Sequence, residues 1–179
     1  MRWPPPKLGS LILLSFLLAA SPAPPAAAAS IEDFAGSWQG EGDDGSGERL
    51  TLTLDGGGGF HASWTEPGAG ADTPVLEAGF APSDRPNVYS YAPETGSLLS
   101  RMFAAPASGN PLAGETLLWA RLDQETLSIY SLAVADDGGF ELDLHRWTLE
   151  ADALLLHFSR RTQTLEETVI EGRLQAAGE

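Results

Sequence analysis

The sequence predicts an all-β fold, a single antiparallel up-and-down meander of about 8–10 strands that closes into a barrel. Three observations carry that prediction. From Ile31 onward apolar and polar residues alternate with period two almost to the last residue. No stretch keeps apolar residues at three-four spacing long enough for an amphipathic helix. Short turns rich in Gly and Asp separate the alternating segments, and such regular hairpins without long crossovers favour closure over a sandwich.

The elements follow in order. Residues 1–29 read as an export signal: Arg2 and Lys7 are its positive start, residues 8–20 its apolar run, and Ala27-Ala28-Ala29 a small-residue site for cleavage before Ser30. That run is too short to cross a bilayer comfortably, so a periplasmic or secreted protein without a stable membrane anchor is expected. Residues 30–179 then form one domain. A one-turn helix at 31–33 precedes a strand at 36–42. Leu50, Leu52 and Leu54 alternate with Arg49, Thr51 and Thr53, and the turn Asp55-Gly56-Gly57-Gly58-Gly59 leads into Phe60, Ala62 and Trp64, making a hairpin with one apolar face. Strands at 74–81 and 87–91 come next. The segment 93–114 is less regular, and within it Leu98-Leu99-Ser100-Arg101-Met102-Phe103 suits a short helix or a bent strand at the barrel mouth. Residues 117–122 and 126–134 flank the turn Asp123-Gln124-Glu125. Asp136-Asp137-Gly138-Gly139 turns into Phe140, Leu142 and Leu144, and Glu150-Ala151-Asp152 turns into Leu154, Leu156 and Phe158. Thr162-Gln163-Thr164 gives the last turn before a strand at 168–174.

Composition excludes much chemistry. All 25 acidic residues follow the signal while two of the 10 basic ones lie within it, so the remainder carries eight arginines and a formal charge of −17. Nucleic acid is therefore not an expected partner. There is no cysteine, and the only lysine lies in the signal, which removes thiolate and Schiff-base chemistry. No Gly-x-Ser-x-Gly elbow occurs, and the adjacent pairs Glu166-Glu167 and Asp136-Asp137 would point to opposite faces of a strand. The expectation is a non-enzymatic protein without a cofactor.

Three histidines remain as candidates for metal or haem ligation. The apolar residues on the two strands flanking Ala151 are even-numbered, so a turn centred there sets His145 opposite His157 and Trp147 opposite Leu155. Glu141 and Asp143 share the face of His145, which gives a candidate two-histidine, one-carboxylate site. His61, on the polar face of its own strand, is a further candidate. A solvent-facing polar row is the plainer interpretation. The acidic Gly-rich stretch Asp43-Asp44-Gly45-Ser46-Gly47-Glu48 reads as a hairpin tip, and the glycines at 56–59 as a flexible turn. Phe60, Trp64, Phe140, Leu142, Leu144, Leu156 and Phe158 are expected on one apolar face, which in a closed barrel is the lumen, either filled as a core or holding a small apolar ligand.

Phe34-Ala35-Gly36-Ser37-Trp38-Gln39-Gly40 opens the first strand, and there the sequence resembles the calycin superfamily, the lipocalin-like barrels, which carry a Gly-x-Trp at this place. The resemblance implies that Gly36 and Trp38 mark the closed end of the barrel, with an arginine from a late strand, Arg160, Arg161 or Arg173, packed over the indole. Avidin-like and nitrobindin-like barrels share the opening, and Gly40-Glu41-Gly42 extends the nitrobindin comparison without assigning a haem-ligating histidine. The stretch from Leu118-Trp119-Ala120-Arg121-Leu122 through Asp137-Gly138-Gly139-Phe140 also resembles secreted bacterial lipocalin-like proteins of uncharacterised function. Three functions are expected from these readings: a barrel holding a small apolar ligand, an acidic interaction or inhibitor module with a packed core, and a metal- or haem-associated barrel.

Overall fold

The computed structural model describes residues 28–40, 47–65, 74–92, 109–135, 137–164 and 166–178. The expected export signal up to residue 27, the expected hairpin tip at 41–46, Asp136, and residues 93–108 with their Leu98–Phe103 stretch lie outside the described residues.

Ten strands alternate along the chain: β1 (Gly36–Gly40), β2 (Arg49–Leu54), β3 (Phe60–Thr65), β4 (Leu76–Pro82), β5 (Val88–Tyr91), β6 (Leu117–Asp123), β7 (Thr126–Val134), β8 (Phe140–Glu150), β9 (Ala153–Thr162) and β10 (Glu167–Ala176). Each pairs antiparallel with its sequence neighbours, and β1 pairs with β10, so the sheet closes into a ten-stranded up-and-down barrel. Closure leaves no edge strand among the described residues and lets an alternating meander hide one apolar face.

Register follows the alternation in the first half of the chain. Trp64 lies between Leu50 and Leu76, Ala62 between Leu52 and Ala78, and Phe60 beside Phe80. A row of alanines thus separates two rows of large side chains, and all of these residues are buried. Ring contacts extend the Phe60 row to β5: Phe60 stacks on Phe80 at 5.0 Å and meets Tyr89 edge-on at 5.1 Å.

One end of the barrel is capped by a 3-10 turn, Ile31–Phe34, anchored at its start by Ser30 N–H and Oγ donating to Asp33 Oδ2 at 2.8 and 3.0 Å. Ile31 and Phe34 insert into the core, at 5% and 0% exposure. Ala29 N–H donates to Gln124 O at 3.0 Å and ties the cap to the β6–β7 turn.

The register of β8 with β9 corrects the sequence reading. The turn contains two residues, Ala151 and Asp152, so Glu150 pairs with Ala153, His145 with Phe158 and Trp147 with Leu156. Paired numbers then sum to an odd value, and the even residues of β8 face away from the even residues of β9. Phe140, Leu142 and Leu144 therefore lie on the outer face, beside Val134, Leu132 and Tyr130 of β7, and Phe140 is 38% exposed. Burial explains the choice of face: this register sends Trp147 fully inside, together with the half-buried Leu149.

Candidate functional site

The inward residues of β8, from the cap upward, are Leu149, Trp147, His145, Asp143 and Glu141, so the strand turns polar toward the end opposite the cap. On β9 the inward series Leu154, Leu156, Phe158 ends in Arg160, and pairing sets Asp143 directly across from Arg160. The guanidinium binds the carboxylate in a bidentate fork, Nε to Oδ1 at 2.9 Å and Nη2 to Oδ2 at 2.8 Å, while Glu141 Oε1 stands 3.6 Å from Nε. The Asp143 side chain is 11% exposed and that of Arg160 38%, so the pair sits at the inner mouth, with one carboxylate covered and the cation reaching solvent. Beneath it, the guanidinium carbon lies 5.7 Å from the centre of the Phe158 ring.

His145 is enclosed one step deeper. Its ring centre is 4.8 Å from Phe158, 4.9 Å from Trp64 and 5.8 Å from Trp147. The residue is 2% exposed, and burial lowers its pKa to about 4, against the pull of Asp143 upward and with a smaller push from Arg160 downward. Its Nδ1 and the indole Nε1 atoms of Trp64 and Trp147 have no hydrogen-bond partner. Three polar atoms without partners thus belong to one cluster of touching rings, although buried polar groups ordinarily find partners.

Of the lumen candidates, Phe60, Trp64, Leu156 and Phe158 are inside, with Trp64, Leu156 and Phe158 around this site and Phe60 packed on Phe80 and Tyr89 elsewhere in the core, while Phe140, Leu142 and Leu144 face out. The proposed histidine cluster is not assembled. His145 faces inward, His157 faces outward opposite Arg146 with Nδ1 3.4 Å from Glu171 Oε1, and His61 lies on the outer side of β3 between Thr53 and Gly79. The two-residue turn is the cause, because it offsets His145 and His157 by one position. Among the described residues no three His, Asp or Glu side chains gather as a metal site.

Trp38 is buried near the capped end, 8% exposed, with Nε1 donating to Phe34 O at 3.0 Å. Gly36 before it has φ +131°, a conformation that L side chains rarely adopt, so the glycine of the Gly-x-Trp is a backbone requirement. The expected arginine is not over the indole. Arg160 sits on Phe158 at the other end, Arg161 pairs with Glu167 at 3.2 Å on the outside, and Arg173 faces out to Glu150. The carbonyl of Phe34 gives the Trp38 N–H its partner and the cap covers this end.

Sequence reasoning missed Glu48 and the Asp143–Arg160 pair. Glu48 shares the parity of Leu50 and Leu52 and is buried to 7% exposure, lying over Gly172 and Gly40, where an added Cβ would crowd its side chain. Parity was the available signal in both cases, since Arg160 continues the series from Leu154 to Phe158.

The closed ten-stranded architecture is compatible with a lipocalin-like barrel. A scan against protein-family models finds no match to this chain, and neither curated proteins nor solved structures match it.

Proposed function

We propose that the chain is a non-enzymatic, exported binding barrel, periplasmic or secreted and akin to the secreted bacterial lipocalin-like proteins, that holds a small, largely apolar ligand at the Arg160 end of its interior. The observation that carries this reading is the bidentate Arg160–Asp143 pair at the inner mouth of a barrel whose core is otherwise mostly apolar. Desolvation offsets most of the attraction within such a pair, so its net stabilisation is small and recognition accounts for it better. Trp64 and Phe158 form an apolar floor, and the indole N–H groups of Trp64 and Trp147 are donors without a protein acceptor. An apolar body with one hydrogen-bond-accepting group matches both features. The excess of 25 acidic over eight basic residues beyond the signal sets the protein against nucleic acid.

The test is organic extraction of protein purified from its native compartment, followed by mass spectrometry. A stoichiometric apolar compound, depleted in Arg160→Met, is expected. An empty extract, together with no thermal stabilisation by a panel of fatty acids and sterols, retires the reading.

A second reading, an acidic interaction module with a packed core, is favoured by the contacts of Phe60 with Phe80 and Tyr89, which fill that part of the interior. Its mark is a partner captured at low salt and released at moderate salt. Capture insensitive to salt, or none, counts against it.

A further inference from the structure

We propose that the outer wall of the barrel carries a second binding site, across β6, β7 and β8, for an acidic saccharide recognised through its carboxylate and its pyranose ring. Register builds the site. Arg121 of β6 lies beside Ser128 of β7, which lies beside Arg146 of β8, so a small side chain separates two guanidiniums on one cross-strand row. Strands about 4.8 Å apart set the two arginine backbones about 10 Å from each other. The notch between them opens a cleft of about 480 Å³ lined by Arg121 with its partner Asp123, by Gln124, Ser128, Tyr130 and Arg146, and by the Thr126–Thr148 pair.

Charge singles out this cleft. Only eight arginines follow the signal, against 25 acidic residues, and two of the eight bracket it. Arg121 donates to Asp123 through Nη2 at 3.1 Å and keeps its other N–H groups for a ligand. Exposed Arg146 makes no ion pair among the described residues. Two forked cations flanking one notch are suited to a carboxylate.

The rest of the lining selects the body that bears the carboxylate. Thr126 Oγ1 and Thr148 Oγ1 share one hydrogen bond at 3.0 Å, so one of their two hydroxyl protons remains to donate, and Ser128 adds a third hydroxyl. On the other side Tyr130 lines the cleft, its ring stacked on Trp119 at 4.8 Å and 4°. Hydroxyl donors on one side and a rigid aromatic wall on the other complement a sugar ring, with its polar edge and apolar C–H face. Inorganic phosphate would leave the aromatic wall and the threonines unused, and an acidic peptide has no ring of hydroxyls to engage them.

The experiment is titration of the protein with tetragalacturonate, followed calorimetrically, beside cellotetraose, inorganic phosphate and a poly-glutamate peptide. Binding of tetragalacturonate is expected, weakening as sodium chloride rises from 50 to 300 mM, with cellotetraose, phosphate and peptide at least tenfold weaker. Arg146→Gln and Arg121→Gln are each expected to weaken it tenfold or more, and Tyr130→Ala severalfold, with unchanged circular dichroism. Arg146→Lys checks that a point charge alone recovers only part of the loss. No binding of tetragalacturonate, full binding by Arg146→Gln, or equal binding of phosphate or peptide overturns the proposal.

Discussion

His145 stays neutral where an exposed imidazole begins to charge. Enclosure by Trp64, Trp147 and Phe158 lowers its pKa to about 4 from an ordinary 6.5. Above pH 6.5 folded and unfolded chains are both neutral at this position. Between 6.5 and 4 the unfolded chain takes up a proton that the folded barrel does not, so stability falls with pH and ends about 3 kcal/mol lower. His145→Phe removes this dependence. Urea unfolding at pH 7 and 4.5 should show the wild type losing about 2–3 kcal/mol more than the variant, since carboxylate effects cancel in the comparison. Equal losses would mean the imidazole is solvated. Trp38 gives a second residue-scale test: Trp38→Ala removes a buried indole and its hydrogen bond to Phe34, at about 3–5 kcal/mol. A shift in denaturation midpoint typical of a surface substitution would mean that Trp38 is not part of the core.

At the scale of the element, β8 separates what alternation reveals from what it conceals. On β2 and β3 every large apolar residue has one parity and the other is polar, so the hairpin and its inner face were legible from the sequence. On β8 the apolar parity changes along the strand, from Phe140, Leu142 and Leu144 to Trp147 and Leu149, and either face satisfies half of it. The turn decides. Ala151 occupies it with φ +54°, a left-handed conformation that costs an L residue roughly 1–2 kcal/mol. Ala151→Gly should therefore stabilise the protein by about 0.5–1 kcal/mol, after the extra entropy of glycine in the unfolded chain is deducted. The reading is a higher urea midpoint at unchanged m-value. A lower midpoint would argue for a different turn and register. The candidate site stayed hidden for a related reason: Arg160 has the parity of a core residue and the chemistry of a surface one, and only the partner strand, which brings Asp143 across from it, resolves the conflict.

For the whole molecule, fold class and strand succession follow from local sequence, because most hairpins are joined by short turns and carry their own pattern. The seam does not. Trp38 and Ala176 face each other across β1 and β10 although 138 positions separate them, and no local signal marks that pairing. Such a contact carries the largest loop-closure cost in the barrel, so joining β1 to β10 is expected late in folding. The same seam makes the ring of strands indifferent to where the chain is cut. A circular permutant that links residue 178 to residue 28 and opens at Gly57 would turn the β1–β10 seam into a hairpin and make β2–β3 the long-range closure. It should retain the β circular dichroism and the buried Trp38 of the parent while its slowest refolding contacts move to β2 and β3. In that sense the barrel has an order of strands but no first one.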